Sequence, residues 1–343
     1  MSDAEPLLSV RDLHTQFETP DGTVRAVDGV SFDVRNGETV CLVGESGSGK
    51  TVTCDSLAGL VEPPGEVTAG EVRLHGEDLT SKDEKQLRHI RGRRIGYVFQ
   101  NPQNALDSVY RVGDQVAEAV RHHRDVSKAA AKERAVSLLE QVGIPDAEKR
   151  ADDYPHEFSG GMKQRVVVAI ALASDPDLLV ADEPTTALDV TMQASILRLV
   201  DDLQADRNMG VVFVTHDLGV VAEIADRVVV MYAGEVVERG DVQAVFDRPA
   251  HPYTRALFRC LPGRGEGMEP IPGSTPDPTD LPSGCRFRPR CPHAVEECTS
   301  PPDFHPVIGE GHEAACVHHR QDRVAPWRER PEPEAVAGGE GDE

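Results

Sequence analysis

The chain has 343 residues, more than one typical compact domain holds, and with 39 % hydrophobic residues it can build a sizeable core. A formal net charge of −23 argues against broad nucleic-acid binding, because phosphate backbones require basic surface. The longest apolar run, Val166 to Ala173, falls far short of the roughly 20 residues that cross a bilayer, and MSDAEPLLSV lacks a signal-peptide pattern, so the expectation is a soluble chain or a peripheral subunit of a membrane assembly.

In chain order, LLSVRDLHTQF and VRAVDGVSFDV alternate apolar and polar residues and predict an antiparallel start. ETVCLVGESGSGKTVTCDSLAGL predicts a strand, a glycine loop and a helix. Further strands are expected at EVRLHGEDL and RRIGYVFQ. Residues 113 to 150 look helical, with Ser127 placed to cap SKAAAKERAVSLLEQVGI. GGMKQRVVVAIALASDP predicts a helix, DLLVADE a buried strand, MQASILRLVDDLQADR an amphipathic helix and GVVFVTH a further strand. Strands alternating with helices place the chain in the α/β class, with a largely parallel, helix-covered sheet. Beyond about residue 240 the character changes. Residues 262 to 284 are crowded with Pro and Gly and predict a linker or an irregular lobe, and ERPEPEAVAGGEGDE is too polar to pack and is expected to be disordered.

The stretch Gly44-Glu45-Ser46-Gly47-Ser48-Gly49-Lys50-Thr51 matches GxxxxGK[ST] between an apolar strand and a helix. Glycines let backbone N–H groups turn toward phosphate oxygens, and the helix N-terminus adds positive potential. Lys50 can reach β- and γ-phosphates, and Thr51 offers a hydroxyl to Mg²⁺. Asp182 and Glu183 end an apolar strand. With the phosphate loop in the same chain, Asp182 is expected to hold Mg²⁺, directly or through water, and Glu183 to polarise the attacking water as general base.

Four cysteines are spaced Cys285-x5-Cys291-x6-Cys298-x17-Cys316. Redox poise disfavours disulfides in a cytosolic chain, so four thiolates suit zinc or an iron–sulfur cluster, although the CxxC hairpins of structural zinc are absent. Cys41 and Cys54 flank the phosphate loop and read as core thiols, while Cys260 stands outside the group. His293, His305 and His312 are candidate substitute ligands, each better read as a solvated histidine.

The remaining motifs join these into one pattern. Phe158-Ser159-Gly160-Gly161-Met162-Lys163-Gln164-Arg165 precedes a helix, and Thr186-Ala187-Leu188-Asp189 follows the acidic strand end. Gln100 ends the strand RRIGYVF, and His216 ends VVFVT. In that order the set resembles the ATP-binding-cassette (ABC) ATPases over roughly residues 8 to 240. The resemblance implies that Ser159, Gly160 and Gly161 contact the γ-phosphate of ATP bound to a partner subunit. It implies that His216 contacts the γ-phosphate, that Gln100 touches Mg²⁺ and the attacking water, and that Asp189 bridges two cassettes. Phe17 is the candidate for stacking on adenine; the TPDG after it loosens the alignment, and a core phenylalanine is the competing reading. The family's commonest signature is LSGGQ, and Met162 cannot supply the glutamine's hydrogen bonds. The site that this signature completes on the partner is therefore expected to be altered.

Longer stretches narrow the resemblance. FQNPQNALDSVYRVGDQ, YPHEFSGGMKQRV, ADEPTTALDVT, THDLGVVAEIADRVVVMYAGEVVERG, HPYTRAL and CRFRPRCPHAVEEC are similar to the oligopeptide/dipeptide permease ATPases, and FSGGM with LDVT favours the "D"-type subunit. This implies a P-loop NTPase cassette over 1–240, with a parallel-sheet core, an antiparallel β subdomain and a helical subdomain at about 102–175. A small irregular accessory lobe would follow over 241–328, then an acidic tail over 329–343. It also implies ATP hydrolysis that energises peptide import, or import of oligosaccharides or metal complexes in some relatives. Implied partners are a paralogous "F"-type ATPase, two membrane permeases and an extracellular substrate-binding protein, with no nucleic acid, at the cytoplasmic face of the membrane. For the four cysteines it implies a [4Fe–4S] cluster, with zinc the alternative; a lobe so rich in Pro and Gly that it cannot bury its own core gives such a group a structural role. Finally, seven lysines against twenty-nine arginines on an acidic chain resemble proteins of salt-rich cytoplasm, where counterions screen self-repulsion.

Overall fold

The computed structural model describes residues 5–100, 105–186, 188–259, 271–307 and 311–320; Cys260 and the acidic tail lie outside them. Side-chain alternation sets the layers. In β1 (Leu8–Thr19) and β2 (Gly22–Val34), the residues Leu8, Val10, Leu13, Val30, Phe32 and Val34 are buried. The two strands pair antiparallel from Leu8↔Val34 to Thr19↔Gly22, so TPDG is the hairpin turn. With β4 (Gly65–Leu74) and β5 (Glu77–Asp78) they form a sheet of order β2-β1-β4-β5. EVRLHGEDL is thus two strands rather than one, because His75 and Gly76 adopt φ of 49° and 74° and turn the chain back.

The second sheet has the order β11-β12-β10-β9-β3-β8-β7-β6. Its parallel part comprises β3 (Thr39–Val43), β6 (Ile95–Val98), β7 (Leu178–Asp182), β8 (Gly210–Thr215) and β9 (Arg227–Tyr232). Both faces are covered, which is why these strands read as continuous apolar runs. Val40, Leu42, Val180, Val212 and Val214 face the antiparallel sheet and α1 (Lys50–Ala58). Their alternates Cys41, Val43, Leu179, Ala181, Val211 and Phe213 face the helices. After α2 (Glu84–Ile90), the helical layer is built from α3 (Val112–His123), α4 (Lys128–Gln141), α5 (Ala147–Arg150) and α6 (Gly160–Ala171). Ser127 caps α4 as expected, accepting the Ala130 N–H at 3.2 Å. α6 ends at Ala171 with Leu172 as its C-cap, so SDP lies beyond it, with Asp175 at φ 55°. α7 (Val190–Arg207) and α8 (Leu218–Ile224) follow β7 and β8.

β10 (Glu235–Asp241) returns antiparallel on β9. α9 (Val242–Asp247) and α10 (Pro252–Arg259) follow, and short 3-10 turns stand at Arg288–Arg290 and Glu296–Thr299; of the Pro- and Gly-crowded stretch 262–284, residues 262–270 lie outside the described residues. The segment beyond α10 does not stand apart. β12 (Glu313–Ala315) pairs with β10, and β11 (Phe304–Pro306) pairs with β12, so both extend the main sheet. Phe287 enters the helix-side core, with ring centroids 5.3 Å from Tyr232 and 5.4 Å from Tyr253. The solvated reading of the histidines is corrected here. His312 is 2 % exposed and bonds Glu238 at 2.8 Å, while His293 and His305 are half-buried. Cys41 and Cys54 are core thiols, both fully buried. Among the described residues no helix is long and apolar enough to cross a membrane.

Candidate active site

The phosphate loop joins β3 to α1, and Gly49 stands at the N-cap of α1 with φ 98°. A Cβ at Gly49 would run into the carbonyl oxygen of Ala26, and one at Gly44 into that of Met231. These glycines let β2 and β9 close on the loop. Lys50 is 6 % exposed, and its ammonium donates to Gly44 O (2.8 Å), Glu45 O (2.8 Å) and Ser48 Oγ (3.2 Å). Burial lowers its pKa, against the opposing charges of Glu183 and Asp182.

Asp182 closes β7 and is 3 % exposed. Thr51 donates its hydroxyl to Asp182 Oδ1 at 3.2 Å. Burial, with the charges of Asp55 and Glu183, raises the Asp182 carboxyl to about 6 against the Thr51 hydrogen bond and the Lys50 charge. A hydroxyl beside a buried carboxylate short of positive partners is a donor set that fits a hard divalent cation.

Glu183 turns out of the strand at φ 44°, its N–H held by Val214 O at 3.0 Å. Its Oε2 accepts from Gln100 Nε2 (3.0 Å) and Thr186 Oγ1 (2.9 Å), and its Oε1 meets His216 Nδ1 at 3.2 Å. Burial acts to raise its pKa, but the bonds from Thr186, His216 and Gln100 outweigh it and hold the carboxyl below its ordinary value. Gln100 and His216 lie just past the ends of β6 and β8 rather than within them. The fold thus brings Gln100, Glu183 and His216 to one point. The hydroxyl of Thr186 joins them, a contact that the motif alone does not specify.

A cavity of about 500 Å³ lies over the loop, lined by Phe17, Ser46 to Val52, Gln100 and Glu183. Phe17 is half-buried, reaching the cavity on one side and packing on Gly65 on the other. Thr275, Pro276, Pro278 and Leu281 complete the wall, and Thr279 stands over the TPDG hairpin at Gly22. Sequence reasoning missed this wall, since a Pro-rich segment carries no signal for what it will face.

Ser159, Gly160, Gly161 and Asp189 do not line the cavity. Ser159 caps α6, accepting the Met162 N–H at 3.3 Å, and Asp189 caps α7, accepting the Met192 N–H at 2.9 Å. A Cβ at Gly161 would collide with the Met192 side chain, so glycine there lets the two helix starts meet. Ser159, Gly160 and Asp189 are exposed together, and Val190 beside them is 81 % exposed.

Cys285, Cys291, Cys298 and Cys316 are free thiols in one lobe, and the Cys285 N–H donates to Cys298 O at 2.9 Å. Backbone N–H groups of Phe287, His293 and His318 point at the sulfurs of Cys285, Cys291 and Cys316. Burial, with the other thiols adding to it, pushes Cys285 up to about 11 and Cys316 up to about 12 against those bonds. His251 accepts the Tyr253 N–H on Nδ1 at 3.1 Å, so its Nε2 carries the hydrogen and faces Cys285 Sγ at 3.9 Å. Burial, with His319 and His318 nearby, lowers His251 to about 3 and keeps it neutral. Among the described residues no group of three or more His, Cys, Asp or Glu side chains is gathered to hold a metal ion, and this holds for a cluster and for zinc alike.

Two family models match the chain: "ABC transporter" over residues 27–186, and "Oligopeptide/dipeptide transporter, C-terminal region" over 237–298. A putative peptide import ATP-binding protein of Brucella ovis is 49 % identical over 332 residues, covering 92 % of this chain and 98 % of the relative. The dipeptide transport ATP-binding protein DppD of Escherichia coli is 45 % identical over 323 residues, covering 93 % and 99 %. The oligopeptide transport ATP-binding protein OppD of Bacillus subtilis is 50 % identical over 295 residues, covering 84 % and 82 %. Among solved structures, a dimeric ATP-binding cassette in a post-hydrolysis state bound to ADP and Pi superposes with TM-score 0.62 at 28 % identity, covering 68 % of this chain and 98 % of that one.

Proposed function

Since this chain belongs to the ATP-binding subunits of oligopeptide/dipeptide ABC transporters, we propose that it hydrolyses ATP to energise peptide import. The observation that carries the reading is the convergence of Gln100, Thr186 and His216 on Glu183, beside Thr51 and Asp182. Glu183 is held ionised at neutral pH and takes the proton of the water that attacks the γ-phosphate. Lys50 and the N–H groups of residues 44–51 hold the β- and γ-phosphates, and Phe17 stacks on the base. Mg²⁺, held by Thr51 and Asp182 with Gln100 close by, supplies charge neutralisation on the phosphates when bound. His216 orients Glu183 and the γ-phosphate. The exposed Ser159, Gly160 and Asp189, with Gly161 buried behind them, complete the site of an "F"-type partner ATPase, where Met162 leaves one hydrogen-bonding side chain fewer.

In this reading residues 1–240 are the cassette, 241–328 the accessory lobe and 329–343 the tail. The chain sits on the cytoplasmic face of two permeases that an extracellular binding protein supplies. Cys285, Cys291, Cys298 and Cys316 hold a [4Fe–4S] cluster, supported by four thiols in one lobe and three N–H groups aimed at sulfur. Absorbance near ~400 nm and about four irons per chain after anaerobic purification are expected; zinc without iron would overturn this assignment. The charge of −23 reads as adaptation to high salt, so the chain should melt higher in molar KCl than in dilute buffer, and equal melting would refute it.

The test is purification from membranes. Recovery with two multi-span permeases, and hydrolysis that rises when peptide-loaded binding protein is added, is the expected outcome. Recovery with ribosomes or DNA and no permease would overturn the reading. Stimulation only by an oligosaccharide or a metal complex would replace the proposed cargo.

A further inference from the structure

Glu45, in the phosphate loop, is held from a distance at both its backbone and its side chain. Its N–H donates to Tyr253 Oη at 2.8 Å, and its C=O accepts from Lys50 Nζ at 2.8 Å. Its carboxylate takes Arg290 Nη1 at 2.7 Å and Nη2 at 3.2 Å, a forked pair. Arg290 lies in the cysteine segment, directly before Cys291, and Tyr253 is in the HPY stretch at the start of α10.

The Arg290 side chain is only 5 % exposed. Besides Glu45, Nη1 donates to Tyr232 Oη (3.3 Å), Nη2 to Ile271 O (3.3 Å) and Nε to Pro272 O (2.8 Å). Each of the five guanidinium hydrogens thereby has an acceptor. The guanidinium carbon lies 5.8 Å from the Tyr232 ring centroid and 5.9 Å from that of Phe287. A buried charge satisfied in this way has one orientation, and it transmits that orientation to its partner. On the loop side that partner is the residue whose carbonyl bonds the phosphate lysine.

We infer that Arg290 and Tyr253 are positioning residues for the nucleotide: through Glu45 they fix the first turn of the phosphate loop and the place of Lys50. The inference rests on the nucleotide reading above. Neither residue touches the nucleotide; both act on the loop that does.

The test measures MgATP dissociation constants, KM and kcat for the full chain in its transporter complex, with iron content and melting temperature recorded for each variant. Glu45→Gln removes the charge from the loop side, outside the cysteine segment, and Arg290→Gln removes it from the lobe side. Each is expected to weaken MgATP binding and raise KM about tenfold with kcat within about threefold, because a charge-assisted forked pair is lost. The double variant should be no worse than either single one. Tyr253→Phe, which removes only the hydroxyl, should raise KM by about threefold. Unchanged affinity in Glu45→Gln, or effects of the two variants that multiply, would overturn the clamp. A wild-type chain that fails to bind MgATP, or a Lys50→Ala variant that binds as wild type does, would instead overturn the nucleotide reading on which the clamp depends.

Discussion

Glu183→Gln tests the assignment on which the chemistry turns. The carboxylate is 15 % exposed and takes bonds from Gln100, Thr186 and His216. The substituted amide keeps the shape. Its oxygen can accept from Gln100 and Thr186, and its NH₂ can donate to His216 Nδ1 once that ring carries its hydrogen on Nε2. Losing the charge weakens these bonds by about 1 kcal/mol each, less where solvent screens them. It also removes a negative neighbour of Asp182, whose carboxyl is raised in part by that charge. The net change in stability should therefore stay within about 2 kcal/mol, so the variant folds and binds MgATP. Removing a general base, by contrast, should slow hydrolysis about 10²- to 10⁴-fold, or roughly 3 to 5 kcal/mol in the barrier. Phosphate release by the assembled transporter, paired with gel filtration of the ATP-bound ATPase pair, separates the two effects. The expected outcome is a persistent dimer with little phosphate released. Hydrolysis within about threefold of wild type would remove Glu183 from its role.

Phe17→Ala should weaken MgATP binding about tenfold, in line with about 1 to 3 kcal/mol for one stacked base, while Phe17→Trp stays near wild type; unchanged affinity with a lower melting point would leave Phe17 only its packing on Gly65. Gly49→Ala places a side chain at φ 98° against the Ala26 carbonyl, so it should cost about 2 kcal/mol or more and abolish nucleotide binding, which calorimetry reads directly. His251 has a depressed pKa, so the stability it contributes is complete above its ordinary value of 6.5 and is lost as pH falls toward about 3. Between pH 7.5 and 5, wild type should lose about 2 kcal/mol more unfolding free energy than His251→Gln in urea titrations, and equal losses would refute the buried neutral histidine.

What could be read from the sequence follows the range of the interactions. The phosphate loop is a local device: eight consecutive residues between a strand and a helix state their own geometry, and the structure forms it with Gly49 at the helix cap. The parallel strands were legible because burial on both faces leaves continuous apolar runs such as Leu178–Asp182. The acid pair and its companions were legible only as an ordered set. That Thr186, Gln100 and His216 would all reach Glu183 depends on where β6, β7 and β8 end relative to one another. The contacts of Tyr253 and Arg290 with Glu45 span more than two hundred residues, and no periodicity encodes them. The accessory lobe was legible as irregular from its Pro and Gly content. Its two short strands were not, since three residues such as Glu313–Ala315 take their conformation from the edge they meet.

That edge has a consequence for how the protein is made. Glu238, in β10, is fully buried, and its carboxylate accepts the Ala250 and His251 N–H groups and meets His312 Nε2 at 2.8 Å. Beside it Arg239 bonds Glu313 and lies over the Phe304 ring. The partners that cover the outer side of β10 are thus encoded about seventy residues downstream of it. On the ribosome, the cassette motifs emerge with that edge of the sheet open, Glu238 having the Ala250 and His251 N–H groups but not yet His312. Only when the segment around residues 304–316 leaves the exit tunnel does the edge gain its last two strands, and Glu238 its histidine. A chain interrupted before residue 312 would carry every ATPase motif on a sheet whose β10 edge stays unpaired.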